Sequence, residues 1–158
     1  MTRLTQTLIA EASFGKPRIG YYASRFSPSE IRQTIAELVI QNNMEMARAL
    51  SEAGLALYPE SEDMLSISAL LAELEQDWQS AQLHLEKLLE LQGANSKAVV
   101  WHHLIRVVRC QLELQKALDL AKKAIRLHPH ESTLQEELSS LGAETAENTL
   151  IHASSMAH

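Results

Sequence analysis

The sequence predicts an all-α fold made of repeated helix pairs, and three observations predict it. The 158 residues are 46% hydrophobic but only 4% aromatic, with five Gly and four Pro. Leu, Ala, Glu and Gln dominate after residue 30, a mixture that favours helix over sheet. Apolar side chains recur at i, i+3, i+4 and i+7, the period of an amphipathic helix. Laid over itself, the chain also repeats: "EMARALSEAGLALYPES", "WQSAQLHLEKLLELQGA" and "LQKALDLAKKAIRLHPHE" align. Each has an alanine near its start (Ala47, Ala81, Ala117), an apolar residue eight further on (Leu55, Leu89, Ile125) and a breaker at twelve (Pro59, Gly93, Pro129). The alanines are spaced 34 and 36 residues apart, which defines a unit of helix, turn, helix and breaker.

Residues 1–27 form an N-terminal segment. Leu4, Leu8 and Ile9 suit a short helix within residues 1–13, and "FGKPRIGYYASRFSP" reads as an irregular linker. That linker holds Phe14, Tyr21, Tyr22 and Phe26, leaving only Tyr58 elsewhere among the Phe and Tyr residues. Packing onto the first repeat as a cap is its expected role, with a partner-binding arm as the alternative. The repeats span 28–61, 62–97 and 98–131. Their first helices bury Ile31, Ile35 and Leu38; Leu65, Ala69 and Ala72; and Trp101, Leu104, Ile105 and Val108. In the second helices, Ala47, Ala81, Ala117 and Ala124 let neighbours approach closely, and Pro or Gly ends the unit because neither continues a helix well. Residues 132–158 are a capping helix and tail, with a polar outer face. Thr133 and Glu136 offer a capping box there, Gly142 a stop, and "AENTLIHASSMAH" a weak helix or a disordered end.

The 34-residue unit resembles the tetratricopeptide repeat, over roughly Pro28 to Glu131. The third copy is the most similar: Trp101, Leu104, Val108, Ala117, Ala121, Ala124 and Pro129 fall where that family places its Trp, Leu, Tyr, small, aromatic, Ala and Pro residues. The chain departs from the pattern at two glycines. Ile35, Ala69 and Ile105 replace the one in the first helix, and Asn42, Gln76 and Leu112 replace the one before the second helix. The resemblance implies three repeats stacked as a short right-handed superhelix. Size, acidity and architecture are also similar to the small tetratricopeptide chaperones of bacterial type III secretion.

Charge and motifs exclude several functions. A net charge of -6 argues against binding nucleic acid or an anionic membrane surface. No window approaches the ~20 apolar residues that span a bilayer, and a single cysteine cannot form an internal disulfide, which fits a cytoplasmic setting. The stretch "WHHLIRVVRC" collects two histidines and that cysteine. On a helix, however, His103 and Cys110 lie roughly 10 Å apart along the axis, and His102 points about 100° away from His103. Zinc ligands stand only about 2.0 to 2.3 Å from their metal, so no metal site is expected. His128 and His130 span a turn without companion ligands, and Cys110, read as part-buried, lacks a nearby base. Neither a catalytic residue nor a cofactor is predicted; the chain reads as no enzyme.

A surface remains. In tetratricopeptide arrays the first helix of each repeat lines a concave groove that holds a peptide or helix of a partner. The resemblance places Arg32, Ala36, Val39 and Ile40 from repeat one in that stripe, with Ser66, Leu70, Glu73 and Leu74 from repeat two. Repeat three contributes His102, Arg106, Arg109 and Cys110. The first two repeats supply an apolar floor and the third a basic wall, with Glu73 as an internal partner for Arg106 or Arg109. The expected ligand is a protein segment with apolar anchors near Val39, Leu70 and Leu74 and a carboxylate near the basic wall. Reversing the charge of Arg106 and Arg109 together should abolish its binding. Residues 1–26, or a second copy of the chain in a homodimer, are the alternative occupants of the floor. The specific alternatives to a general scaffold are a type III secretion-type chaperone for a secreted protein and a self-associating assembly adaptor whose groove receives another copy of the chain.

Overall fold

The computed structural model describes residues 1–155 except Phe14, Lys16 and Pro17, with only the backbone of 149–155. Among the described residues it is all-α: α1 Arg3–Ala12, α2 Ile19–Ala23, α3 Pro28–Ile40, α4 Met44–Leu57, α5 Glu62–Leu74, α6 Trp78–Gln92, α7 Ala98–Cys110, α8 Leu114–Leu127 and α9 Ser132–Ser155. A 3-10 turn, Gly93–Asn95, precedes α7. The chain divides into two compact units, Met1–Leu91 and a second that begins at Gln92.

In the first unit helices α3 to α6 start where a side chain can take up an orphan N–H group. Ser27 and Glu30 form a capping box at α3 with Pro28 as its first residue. The Asn43 and Ser61 side chains accept from Met46 and Met64 N–H at α4 and α5, and Asp77 accepts from Ser80 at α6. The apolar faces meet in one cluster. Ile31, Ile35 and Leu38 of α3 pack with Ala47 and Leu50 of α4 and with Met64, Ile67 and Leu71 of α5. Gly54 of α4 suits this packing: a Cβ there would stand 2.9 Å from the Met64 thioether and 3.3 Å from Ile31 Cγ2, so Met64 would have to shift.

The N-terminal segment joins the same core. Leu4 and Leu8 of α1 are buried in it together with Ala23 of α2. Thr2 N–H and the Thr5 hydroxyl both donate to Glu37 Oε2 of α3 at 2.6 Å. Two expectations are corrected here. Ile9 is exposed, because α1 presents only the face of Leu4, Thr5 and Leu8 to α3. The supposed irregular linker contains the short helix α2, whose Ala23 needs helical geometry to reach the core. Phe14, also assigned to the linker, lies outside the described residues.

In the second unit α7 packs on α8 and α8 on α9. Trp101 is buried, its indole N–H donates to Ser96 Oγ at 3.0 Å, and Lys123 Nζ lies 5.3 Å from its ring centre. Ala117, Ala121 and Ala124 are the buried residues of α8. The expected stop at Gly142 is also corrected, since α9 continues through it to Ser155. Leu141 beside it is buried and holds the helix down. Thr133 is the second residue of α9 rather than its cap.

The turns inside the helix pairs share one geometry. Asn42, Gln76 and Leu112 all have positive φ, at 58°, 59° and 62°, and they are the three positions where the repeat pattern has glycine. In each, two N–H groups fold back onto the preceding helix, as in Asn43 to Leu38 O at 2.8 Å and Asn42 to Val39 O at 2.9 Å. This 6→1 and 5→2 pairing satisfies helix-end carbonyls only if the residue between adopts the left-handed conformation.

Candidate interaction surfaces

The stripe read from the sequence falls in two parts, with α3 and α5 in the first unit and α7 in the second. On α3, Arg32, Ala36, Val39 and Ile40 follow one another at helical spacing. On α5, Asp63, Ser66, Leu70 and Leu74 do the same. Arg32 Nε meets Asp63 Oδ1 at 2.9 Å, which brings the two stripes together at this point. Ile40 is 84% exposed, Leu74 54% and Leu70 42%, while Ala36 and Val39 are half-buried and Ser66 is exposed. Val39 also leans on the core. Glu73 departs from the stripe, because it is only 8% exposed. Apart from Glu73, then, the residues of these two helices that reach solvent along the stripe include the large apolar Ile40, Leu70 and Leu74.

On α7 the basic residues have company. Arg109 Nη1 donates to Glu137 Oε1 at 3.2 Å and Nη2 to Ser140 Oγ at 3.3 Å, and Glu144 also pairs with Nη2. Burial works against the Arg109 charge, but the Glu137 and Glu144 carboxylates outweigh it and hold its pKa above the ordinary guanidinium value. His102 Nδ1 stands 4.0 Å from Glu137 Oε2. The sequence assigned Glu73 as partner to Arg106 or Arg109; for Arg109 the carboxylates come from α9. Arg106 is exposed, with Nη2 3.4 Å from His103 Nδ1. The rings of His102 and His103 stand edge to face, 6.4 Å between centres. Cys110 is exposed, against the part-buried setting expected for it. Among the described residues, no group of three or more His, Cys, Asp or Glu is placed to hold a metal ion, and no helix is long and apolar enough to cross a membrane.

Sequence reasoning missed the two residues that complete these surfaces, Asp63 and Glu137. A signal existed for the second: Glu137, Ser140 and Glu144 lie at i, i+3 and i+7, on one face of α9.

Solved structures with a similar fold are known. MamA RS-1 superimposes with a TM-score of 0.68 at 16% identity, over 92% of this chain and 83% of that one. MamA AMB-1 does so with a TM-score of 0.65 at 18% identity, over 96% and 93%. The first TPR of Spaghetti (RPAP3), bound to the HSP90 peptide SRMEEVD, gives 0.63 at 12% identity, over 73% and 90%. No family model and no curated protein matches the sequence. The likeness establishes the class of fold, an all-α helical repeat of the tetratricopeptide kind.

Proposed function

We propose that the chain is a non-enzymatic protein-interaction scaffold, and that the α3–α5 strip of the first unit takes a helix or extended segment of a partner protein. The observation that carries this reading is the exposure of Ile40, Leu70 and Leu74 on adjoining helices of one fold unit. Large apolar side chains gathered on one face cost free energy in water at about 25 cal/mol per Å², and such patches mark interaction sites. The known peptide complex of a similar fold, that of Spaghetti with SRMEEVD, supports the reading by analogy. The expected ligand is an amphipathic segment whose apolar residues contact Leu70 and Leu74 beside Val39.

The test compares wild type with Leu70→Asp, Leu74→Asp as bait in an extract of the source cells, after circular dichroism shows equal helicity. The wild type should retain a defined partner that the variant loses. Equal capture by both, or none by either, would overturn the proposal. Sedimentation of the purified chain separates the two uses: a mass that rises with concentration and is suppressed by the variant marks a self-associating adaptor. A monomer holding one secreted protein marks a chaperone.

A further inference from the structure

A pocket of about 340 Å³ lies where α1, α2 and the start of α3 meet, lined by Arg3, Thr7, Tyr22, Arg25, Phe26 and Glu30. Its size is at the lower end of the range for small-ligand sites. Hydrogen bonds fix part of the backbone around it, while the Arg3, Arg25 and Glu30 side chains reach solvent. Arg3 and Thr7 are one turn apart on α1, and the Thr7 hydroxyl donates to Arg3 O at 3.0 Å. The Tyr58 hydroxyl fixes the turn before α3 by donating to Phe26 O at 3.0 Å. Tyr22 and Phe26 rest against the hydrophobic core.

The charges in this pocket are unbalanced. Arg3 and Arg25 have no acidic partner among the described residues, in a chain whose net charge is -6; Arg25 instead lies 5.9 Å from the Tyr21 ring centre. Glu30 lines the pocket, but its Oε2 is already taken by the Ser27 N–H at 2.8 Å and the Ser27 hydroxyl at 2.6 Å. Among the lining residues two guanidiniums against one carboxylate leave a single positive charge, and Glu11 and Arg18, which both act on Tyr22 from outside the lining, add one charge of each sign. A planar guanidinium fork matches a carboxylate with paired hydrogen bonds. A phosphate dianion would carry a second charge toward Glu30, so the balance favours a monoanion. The Glu11 carboxylate, together with burial, raises the Tyr22 pKa, so the phenol stays neutral. What Tyr22 and Phe26 offer a ligand is therefore ring surface.

We propose that this pocket binds a carboxylate carried next to an aromatic group, the chemistry shared by a free aromatic acid and by a peptide C-terminus ending in an aromatic residue. The site is separate from the α3–α5 strip and does not depend on it.

The full chain, labelled with 15N, is titrated with N-acetylphenylalanine and with Gly-Gly-Phe, each beside its C-terminal amide as the uncharged control. Saturable shifts are expected in α1, α2 and the start of α3 with the acids and not with the amides. Arg3→Gln, Arg25→Gln should weaken binding at least tenfold. Arg126→Gln, on the exposed side of α8, should leave it unchanged. Tighter binding of the peptide identifies a C-terminus as the source, and equal or tighter binding of the free acid a small molecule. Binding of the amides as strong as that of the acids, absence of saturation with both acids, or undiminished affinity in the double variant would overturn the proposal.

Discussion

Arg109 and Glu137 stand 3.2 Å apart and tie α7 to α9. Glu144 and Ser140 close on the same guanidinium, so residues of one α9 face gather around it. Because the Arg109 side chain is about one third exposed, solvent screening keeps the pair near the upper end of surface ion pairs, ~1 kcal/mol. A double-mutant cycle of Arg109→Gln and Glu137→Gln in urea should give a coupling of about that size at low salt, and much less at ~1 M salt. A coupling that salt leaves unchanged would show that the carboxylates do not act through their charge.

Leu112 is the residue least suited to its backbone. It adopts φ 62° with its side chain 84% exposed, so it gains little from burial. A left-handed conformation costs a residue with a Cβ roughly 1–2 kcal/mol, and glycine gives back part of that through its freer unfolded state. Leu112→Gly should raise stability by about 0.5–1 kcal/mol, read from the thermal unfolding of the second unit by Trp101 fluorescence in a Trp78→Phe background. Asn42→Gly should do less, because asparagine tolerates this region.

How much of this was legible in sequence follows from the kind of information each residue carries. Ala47, Ala81 and Ala117 with the breakers after them locate the second helices, because spacing is a property of the chain itself. The positive φ at Leu112 had a signal of the same kind in the glycine that the repeat pattern has there, but the sequence reading took that position only as a departure from the pattern. A helical wheel tells which way a side chain faces but not what covers it. The α9 carboxylates on Arg109, the burial of Glu73 and the exposure of Ile9 all depend on contacts between segments distant in sequence. Gly142 misled because a glycine's local preference to end a helix yields when a neighbour such as Leu141 is buried.

Two glycines test that balance of local and packing forces. At Gly142 an added Cβ meets nothing within 4 Å, so Gly142→Ala should stabilise α9 by about 0.5–1 kcal/mol through helix propensity. At Gly54 the same change meets Met64 and Ile31, both fully buried. Overpacking of a filled core costs about 1–3 kcal/mol, more than the propensity gain, so Gly54→Ala should lower the urea midpoint of the first unit. A gain of stability at Gly54 would mean that Met64 has room to move.

The attachment of α1 should depend on pH through Glu37. The Thr5 hydroxyl, and after it the Thr2 N–H, hydrogen-bond to this carboxylate and hold its pKa below the usual range, with burial opposing them. A folded-state pKa depressed below the unfolded value makes a contribution to stability that is complete above the unfolded value, about 4.3, and is lost as pH falls through the folded one. Protonated Glu37 would also leave one of its two donors without a strong acceptor, although Thr2 Oγ1 would still meet Thr34 Oγ1 at 2.7 Å. Amide exchange at Leu8, corrected for its intrinsic pH dependence, should therefore show α1 opening more readily as pH falls below about 4. In Glu37→Gln the opening should be easier at neutral pH and largely independent of acid. If the variant keeps the wild-type acid dependence, another carboxylate governs the docking of α1.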